Sequence, residues 1–255
     1  MKLSELNPSK HKKVLVYGLS GEGKTVFACG FPTPIRFFDF DGKVSSAASF
    51  YHADGERRAN IDFDTYLPKA GEEADKPFVR YHTDLAALEK QVKEGSFKYE
   101  TVVLDSLTTY FDQMLKEVVR QNPGVKRQVT QMSQVASLQD YMIAAPHFKN
   151  LLTRLLQLPA NVVVTAHVHT TKDEITGEII REPLLPGKLA AYLPVVFEEV
   201  YRTYTESKDG AIRYLAQTQS DSRFKCRSQI RGLPASVALS YSELAKYFPK
   251  VSTGG

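Results

Sequence analysis

The sequence predicts one α/β domain: a mainly parallel sheet with helices on both faces and antiparallel strands at one edge. Short apolar runs at residues 14–17, 35–40, 101–104 and 161–166 alternate with segments of helical periodicity. That order calls for crossover connections and parallel pairing. The first run leads into a glycine-rich turn and then a helix, as the opening unit of such a sheet does. Near the end, runs at 195–205 and 212–219 are joined by Lys208-Asp209-Gly210, a hairpin turn that adds antiparallel strands.

Residues 1–13 read as a polar arm, with Pro8 followed by Lys10, Lys12 and Lys13. The domain spans 14–248, and 249–255 form a tail. A helix is predicted from Lys24 through Phe27 and Cys29, stopping before Pro32. The strand at 35–40 places Asp39 and Asp41 at its C-terminal end. Residues 51–80, rich in charge and glycine with scattered aromatics, are expected as an irregular insertion with little core of its own. An amphipathic helix at 84–94 presents Leu85, Leu88 and Val92 on one face. The strand at 101–104 runs directly into Asp105-Ser106, and a helix is predicted over 107–120. A polar loop with Asn122-Pro123-Gly124 and Lys126-Arg127 precedes a helix at 139–158, which packs through Ile143, Phe148, Leu151, Leu152 and Leu155. The strand at 161–166 ends in His167, and 172–181 reads as a hairpin turning at Thr176-Gly177. No internal repeat interrupts this order.

The chain has 255 residues, 42% apolar and 24% charged, the composition of an ordinary soluble domain. Its apolar runs break at Pro, Lys or Glu well short of the roughly 20 residues a bilayer requires. The first residues lack the apolar stretch of a secretory signal. Cys29 and Cys226 form no CxxC pair, which argues against a disulfide framework or a cysteine-based zinc site. A cytoplasmic protein without a membrane partner is expected. The net charge of +4 is compatible with a nucleic-acid partner but does not select one.

Gly18-Leu19-Ser20-Gly21-Glu22-Gly23-Lys24-Thr25 satisfies the G-x-x-x-x-G-K-[ST] pattern between a predicted strand and a predicted helix. Glycines let the backbone wrap phosphate oxygens with inward N–H groups, and the helix that follows adds the positive end of its dipole. ATP with Mg²⁺ is the predicted ligand. Gly18, Ser20, Gly21, Glu22, Gly23, Lys24, Thr25 and Val26 form its seat, Lys24 reaches the β and γ phosphates, and the Thr25 hydroxyl ligates the metal. Val102-Val103-Leu104-Asp105 supplies the acidic group that positions Mg²⁺ through water. Ser106, not Glu, follows Asp105, so the group that orients the attacking water comes from elsewhere. Asp39 and Asp41 are both candidates, since their strand ends on the same rim of the sheet. His167 is placed to bond the γ-phosphate or the attacking water. His167 and His169 share a strand face, but no third ligand at suitable spacing supports zinc.

In order, these motifs resemble the RecA-like recombinases, most of all the compact phage-encoded RecA-type annealing and recombination ATPases. The likeness runs through Phe37-Phe38-Asp39-Phe40-Asp41, Val-Val-Leu-Asp105-Ser106, Gln139-Asp140-Tyr141 and Val-Val-Val-Thr-Ala-His167. It continues through Pro186-Gly187-Lys188-Leu189-Ala190 and Phe197-Glu198-Glu199-Val200, and covers residues 13–248. The resemblance implies that the His167 strand lies between the P-loop strand and the Asp105 strand. It implies that His167 stands where relatives use a γ-phosphate-sensing Gln, and Asp41 where they use a catalytic Glu. It places Lys188 where a lysine reaches a neighbouring subunit's nucleotide, which implies ATP bound between protomers of a ring or filament. Arg223, Lys225 and Arg227 fall in a looser part of the same likeness.

The family binds single-stranded DNA through two loops, here residues 121–137 with Lys126 and Arg127, and 169–181 with Lys172 and Arg181. Neither offers an aromatic stacking platform. The resemblance thus implies a DNA-stimulated, Mg²⁺-dependent ATPase that assembles on single-stranded DNA in phage recombination or replication, in a bacterial host's cytoplasm, with a single-strand-binding or annealing protein as a further partner. A hexameric helicase-like motor and a non-catalytic nucleotide switch that loads a partner are the alternatives. A small-molecule kinase ranks below them, because no Arg-rich lid is evident.

Overall fold

The computed structural model describes residues 10–73, 76–128, 135–172, 177 and 179–248. Most of the arm expected at 1–13, and all of the tail at 249–255, lie outside these residues, as do 129–134 of the first predicted DNA loop. The predicted turn residue Thr176 also lies outside them.

Strand β1 (Lys13–Gly18) shows why both faces of the sheet are covered. Val14 and Val16 point to one side and Leu15 and Tyr17 to the other, and all four are buried. A strand alternates its side chains with period two, so a run that is apolar at every position must be packed on both faces. The chain continues through α1 (Lys24–Cys29), β2 (Ile35–Asp39), α2 (Val44–Phe50), α3 (Gly55–Ala59) and β3 (Ile61–Thr65). Then come α4 (Lys76–Glu94), β4 (Thr101–Asp105), α5 (Leu107–Gln121), α6 (Leu138–Leu156), β5 (Asn161–Lys172) and β6 (Ile179–Pro183). The last elements are α7 (Leu189–Val196), β7 (Glu199–Lys208), β8 (Ala211–Gln217), β9 (Ser236–Ala238) and α8 (Tyr241–Ala245).

The strand order is β3-β2-β4-β5-β1-β7-β8-β9, with β6 paired to β5 beyond the main sheet. Strands β3 to β7 of this order run parallel, and β8 and β9 add antiparallel pairs at one edge. This is a mainly parallel α/β sheet in which β5, with His167, lies between β1 and β4, the order that the resemblance implies. One core packs Leu15, Tyr17, Phe38, Leu104 and Val164 against α4–α7; the other packs Val16, Phe37, Val103 and Val163 against α1 and its neighbours. Fully burying a Val, Leu or Phe stabilises by about 1.5–3 kcal/mol, so these runs fix the register of the central strands. Helix α5 fits them because Leu107, Tyr110, Phe111, Met114 and Val118 recur at helical spacing on its buried face. The Ser106 hydroxyl caps its start by accepting the Thr109 N–H.

Three predicted segments differ. Residues 51–80, expected as irregular, contain α3, the edge strand β3 and the start of α4, and Tyr66 and Phe78 join the core. Ile61-Asp62-Phe63-Asp64-Thr65 alternates as an edge strand does, and its Asp64 pairs with Arg36 of β2 at 2.5 Å. The strand expected at 195–205 starts later, because Leu189, Ala190 and Leu193 bury one face of α7 and carry the helix through Val196. Strand β5 does not stop at His167. It runs on to Lys172, where β6 folds back on it. The Lys208-Asp209-Gly210 turn is as expected, with Asp209 at φ 54° and Gly210 at φ 77° matching the twist of a hairpin. Among the described residues, no helix is long and apolar enough to cross a membrane.

Candidate functional site

Parallel pairing brings the carboxyl ends of the central strands to one rim: Gly18 lies beside His167, and Asp39 beside Asp105. Ligands in open α/β sheets bind at such a rim. A cleft of about 510 Å³ opens there, lined by Ser20, Gly21, Gly23, Lys24, Thr25 and Val26 on one wall. Asp41, Asp105 and His167 also line it.

The P-loop wall is held by contacts within the loop and to β7. Gly23 has φ 84°, a left-handed backbone that a residue with a Cβ rarely adopts. Gly18 is packed so closely that a Cβ would collide with Thr203 Oγ1 and Glu22 Oε2. Glu22, expected at the phosphates, instead braces the loop. Its carboxylate accepts the Leu19 N–H at 2.7 Å and the Thr203 hydroxyl at 2.8 Å. Neither Gly18 nor Glu22 lines the cleft. The buried Lys24 ammonium donates to the Gly18 and Leu19 carbonyls at 3.0 and 2.6 Å, leaving its remaining donor for a phosphate oxygen. Burial lowers the Lys24 pKa, and the negative charges of Asp105, Glu22 and Asp41 only partly restore it. An incoming polyanion therefore stabilises the charged form.

Thr25 Oγ1 donates to Asp105 Oδ2 at 2.6 Å, and Thr165 Oγ1 donates to Asp105 Oδ1. Asp105 is 2% exposed, and burial raises its pKa against these two hydrogen bonds. A nearby cation would relieve that cost. A hydroxyl and a carboxylate side by side are hard oxygen donors, which fit Mg²⁺, an ion that usually takes only one or two protein ligands besides phosphates and water. Among the described residues, no group of three or more His, Cys, Asp or Glu converges on a metal position.

The facing wall separates the two candidate carboxylates. Asp39 is fully buried and accepts the Lys43 and Val44 N–H groups, each at 3.1 Å, so it fixes the turn after β2. Asp41 faces the cleft. Its Oδ1 accepts the hydroxyls of Ser106, at 3.0 Å, and Thr109, and its Oδ2 lies 2.9 Å from His167 Nε2. Burial, the largest influence, raises the Asp41 pKa, but the bonds from His167, Thr109 and Ser106 outweigh it and hold it at about 2. An ionised carboxylate only accepts, so His167 Nε2 carries the proton of this bond. The pair is built to orient a polar ligand rather than to act as a strong base at Asp41.

Sequence reading missed one end of the cleft. Tyr214 of β8, Leu239 beyond β9 and Phe50 of α2 line it, and both Tyr214 and Leu239 lie 3.2 Å from where a Gly23 Cβ would sit. No motif marks them, because they come from segments remote from the P-loop. Lys43, Ser45 and Ser46 also line the cleft.

The other predicted residues lie elsewhere. Lys188 is exposed at the start of α7 and does not line the cleft. Lys126 and Lys172 are exposed. The side chain of Arg127, expected at DNA, is 2% exposed and binds both oxygens of Asp140, at 2.8 and 2.5 Å. That carboxylate also closes the capping box of α6 by accepting the Ser137 N–H. Arg181 stacks on Phe224 at 5.3 Å, and Arg202 stacks on the same ring at 3.8 Å.

A family model described as an AAA domain matches residues 10–229. No curated protein matches the chain. Among solved structures, it is similar to a KaiC-like protein from the hyperthermophilic archaeon Pyrococcus horikoshii OT3. The two are 14% identical with a TM-score of 0.40, and the match covers 80% of this chain and 76% of the other.

Proposed function

Because this chain belongs to the AAA domain family, it is a P-loop ATPase, and we propose that it hydrolyses ATP, held with Mg²⁺, to control its own assembly on single-stranded DNA. The observation that carries the nucleotide reading is the meeting of Lys24, Thr25, Asp41, Asp105 and His167 in one cleft from four neighbouring strand ends. Backbone amides of the P-loop and the Lys24 ammonium bind the phosphates. The adenine lies against Tyr214 and Leu239, with Phe50 across the cleft. Mg²⁺ would be held by Thr25 directly and by Asp105 through water, and supplies positive charge to the phosphates. Asp41 fixes the His167 ring, and the two together hold the attacking water in line with the γ-phosphorus.

The assembly reading is supported by β5. One continuous strand carries His167 at the cleft and the exposed Lys172 at its far end, so a shift at the γ-phosphate is passed directly to the β5–β6 arm. Lys126 adds a second exposed cation, and cations on loops suit a phosphate backbone. Lys188, outside the cleft, is available to a second copy's nucleotide. One observation favours a slower switch instead: three donors hold Asp41 as a weak proton acceptor.

The test is ATP hydrolysis with and without single-stranded DNA across a salt series, alongside electron microscopy of the same samples. Stimulation that fades with salt, together with rings or filaments, is the expected result. Flat turnover by a monomer would sink the assembly reading. Loss of all affinity for Mg²⁺-ATP would sink the nucleotide reading too.

A further inference from the structure

We propose that Lys43 is a phosphate-contacting residue that gives this cleft its preference for a nucleoside triphosphate over a diphosphate; the inference rests on the ATP reading above. Lys43 lines the cleft beside Asp41 and Gly42. Its position is fixed by its backbone. The Asp39 carboxylate accepts the Lys43 N–H, and Gly42, at φ 68°, turns the chain against Leu67, where a Cβ would collide with Leu67 Cδ1. The Lys43 side chain, by contrast, is exposed and makes no ion pair among the described residues. Asp41, the carboxylate two residues away, is already bonded to His167, Ser106 and Thr109.

The cleft thus holds two ammonium groups, Lys24 and Lys43, and the charge of Lys43 makes Lys24 harder to protonate. Like charges facing each other cost stability unless an anion lies between them. Of these two ammonium groups, only that of Lys24 has carbonyl partners among the described residues. Lys43 follows Asp41 and Gly42 directly in the cleft lining, next to the carboxylate that is bonded to His167. With the γ-phosphate at the Asp41–His167 pair, as proposed above, the last phosphoryl group is the one Lys43 meets. A diphosphate keeps the P-loop contacts and loses this one.

The test compares Mg²⁺-ATP and Mg²⁺-ADP dissociation constants by calorimetry, using the full chain with Lys43, with Lys43→Ala and with Lys43→Arg. Loss of one charge-assisted phosphate contact at a partly exposed site predicts about tenfold weaker ATP binding in Lys43→Ala, with ADP binding changed less than twofold. Lys43→Arg should recover most of the preference, and the ATP-to-ADP ratio of Lys43→Ala should depend less on salt. A folded Lys43→Ala chain that keeps the original ratio overturns the proposal and leaves the ATP reading intact. An unsubstituted chain that binds neither nucleotide overturns both.

Discussion

The two walls of the cleft are built differently. The P-loop wall is local: its lining residues all fall within the single segment Gly18 to Val26, and its shape is set by glycine backbone angles, by bonds between neighbouring residues and by Thr203 behind it. The facing wall is assembled from remote pieces. Asp41 meets His167 across 126 residues, and Tyr214 reaches Gly23 from β8, two strands beyond β1 in the sheet. A local wall can grip phosphates, which every nucleotide carries. Discrimination between nucleotides, and the timing of hydrolysis, fall to the wall that depends on the whole fold. Substitutions on the two walls should therefore fail in different ways.

The largest effect should come from the local wall. Lys24→Ala removes the ammonium nearest the phosphates, and hydrolysis should fall at least about 10³-fold, with ATP affinity lost as well. Steady-state phosphate release and nucleotide titration measure both. Lys24 belongs to neither hydrophobic core, so the fold should survive. A Lys24→Ala chain that still hydrolyses ATP at near the original rate would break the comparison at its root.

Next comes the pair that spans the walls. His167→Ala should lower kcat about 10²-fold with KM changed little, because orientation of the water is lost while the phosphates remain gripped. Asp41→Asn should behave alike. His167→Gln, which keeps a donor at this point of β5, should recover part of the rate. If His167→Ala raised KM and left kcat alone, His167 would belong to ground-state binding and the division between walls would fail.

How much of this was legible follows the same division. The strand–glycine turn–helix unit and the Asp105 strand end could be read directly, because their determinants are contiguous: period-two apolar runs, glycines at fixed offsets, and a carboxylate closing a strand. The order β4-β5-β1 came from resemblance, since no local feature states which strands pair. The edge strand β3 was hidden by its composition. Asp62 and Asp64 made residues 61–65 look like an insertion, although the alternation of Ile61, Phe63 and Thr65 was there to be found. Tyr214, Leu239 and Phe50 could not be read at all, because an exposed aromatic on an antiparallel strand gains a role only once β8 and β9 fold beside Gly23. Only the resemblance favoured Asp41 over Asp39; the residues themselves left both open until the turn showed that Asp39 is spent on the Lys43 and Val44 amides.

Tyr214→Ala sharpens the comparison at the base end. Loss of a stacking partner costs about 1–3 kcal/mol, so KM for ATP should rise roughly tenfold with kcat nearly unchanged, and Tyr214→Phe should restore it. Binding of inorganic triphosphate, which has no base, should be the same in both chains. A Tyr214→Ala variant that weakened triphosphate as much as ATP would place Tyr214 in the support of the P-loop rather than at the base.

The smallest effect on turnover should come from Arg127, which the sequence placed at DNA and the fold commits to Asp140. The guanidinium beside it is the main reason the Asp140 carboxyl stays well below the usual carboxylate range, with bonds from Ser137 adding to the effect. A carboxyl whose folded pKa is depressed stabilises the fold above its unfolded value, near 3.9, and loses that contribution as pH falls further toward the folded value. Arg127→Ala leaves this carboxylate buried without its partner, so the melting midpoint at pH 7 should drop by about 5 °C or more. The gap between the two chains should be widest near neutral pH and narrow below about pH 4, where the unpaired Asp140 takes up a proton. Thermal melts from pH 3 to 8 measure this. At temperatures where both chains are folded, ATP hydrolysis should differ by less than about twofold, and the slope of DNA binding against salt should be the same. Lys172→Ala, by contrast, should lower that slope by about one. A lower slope in Arg127→Ala, with an unchanged melting midpoint, would return this residue to the DNA surface and show that its bond to Asp140 opens on binding.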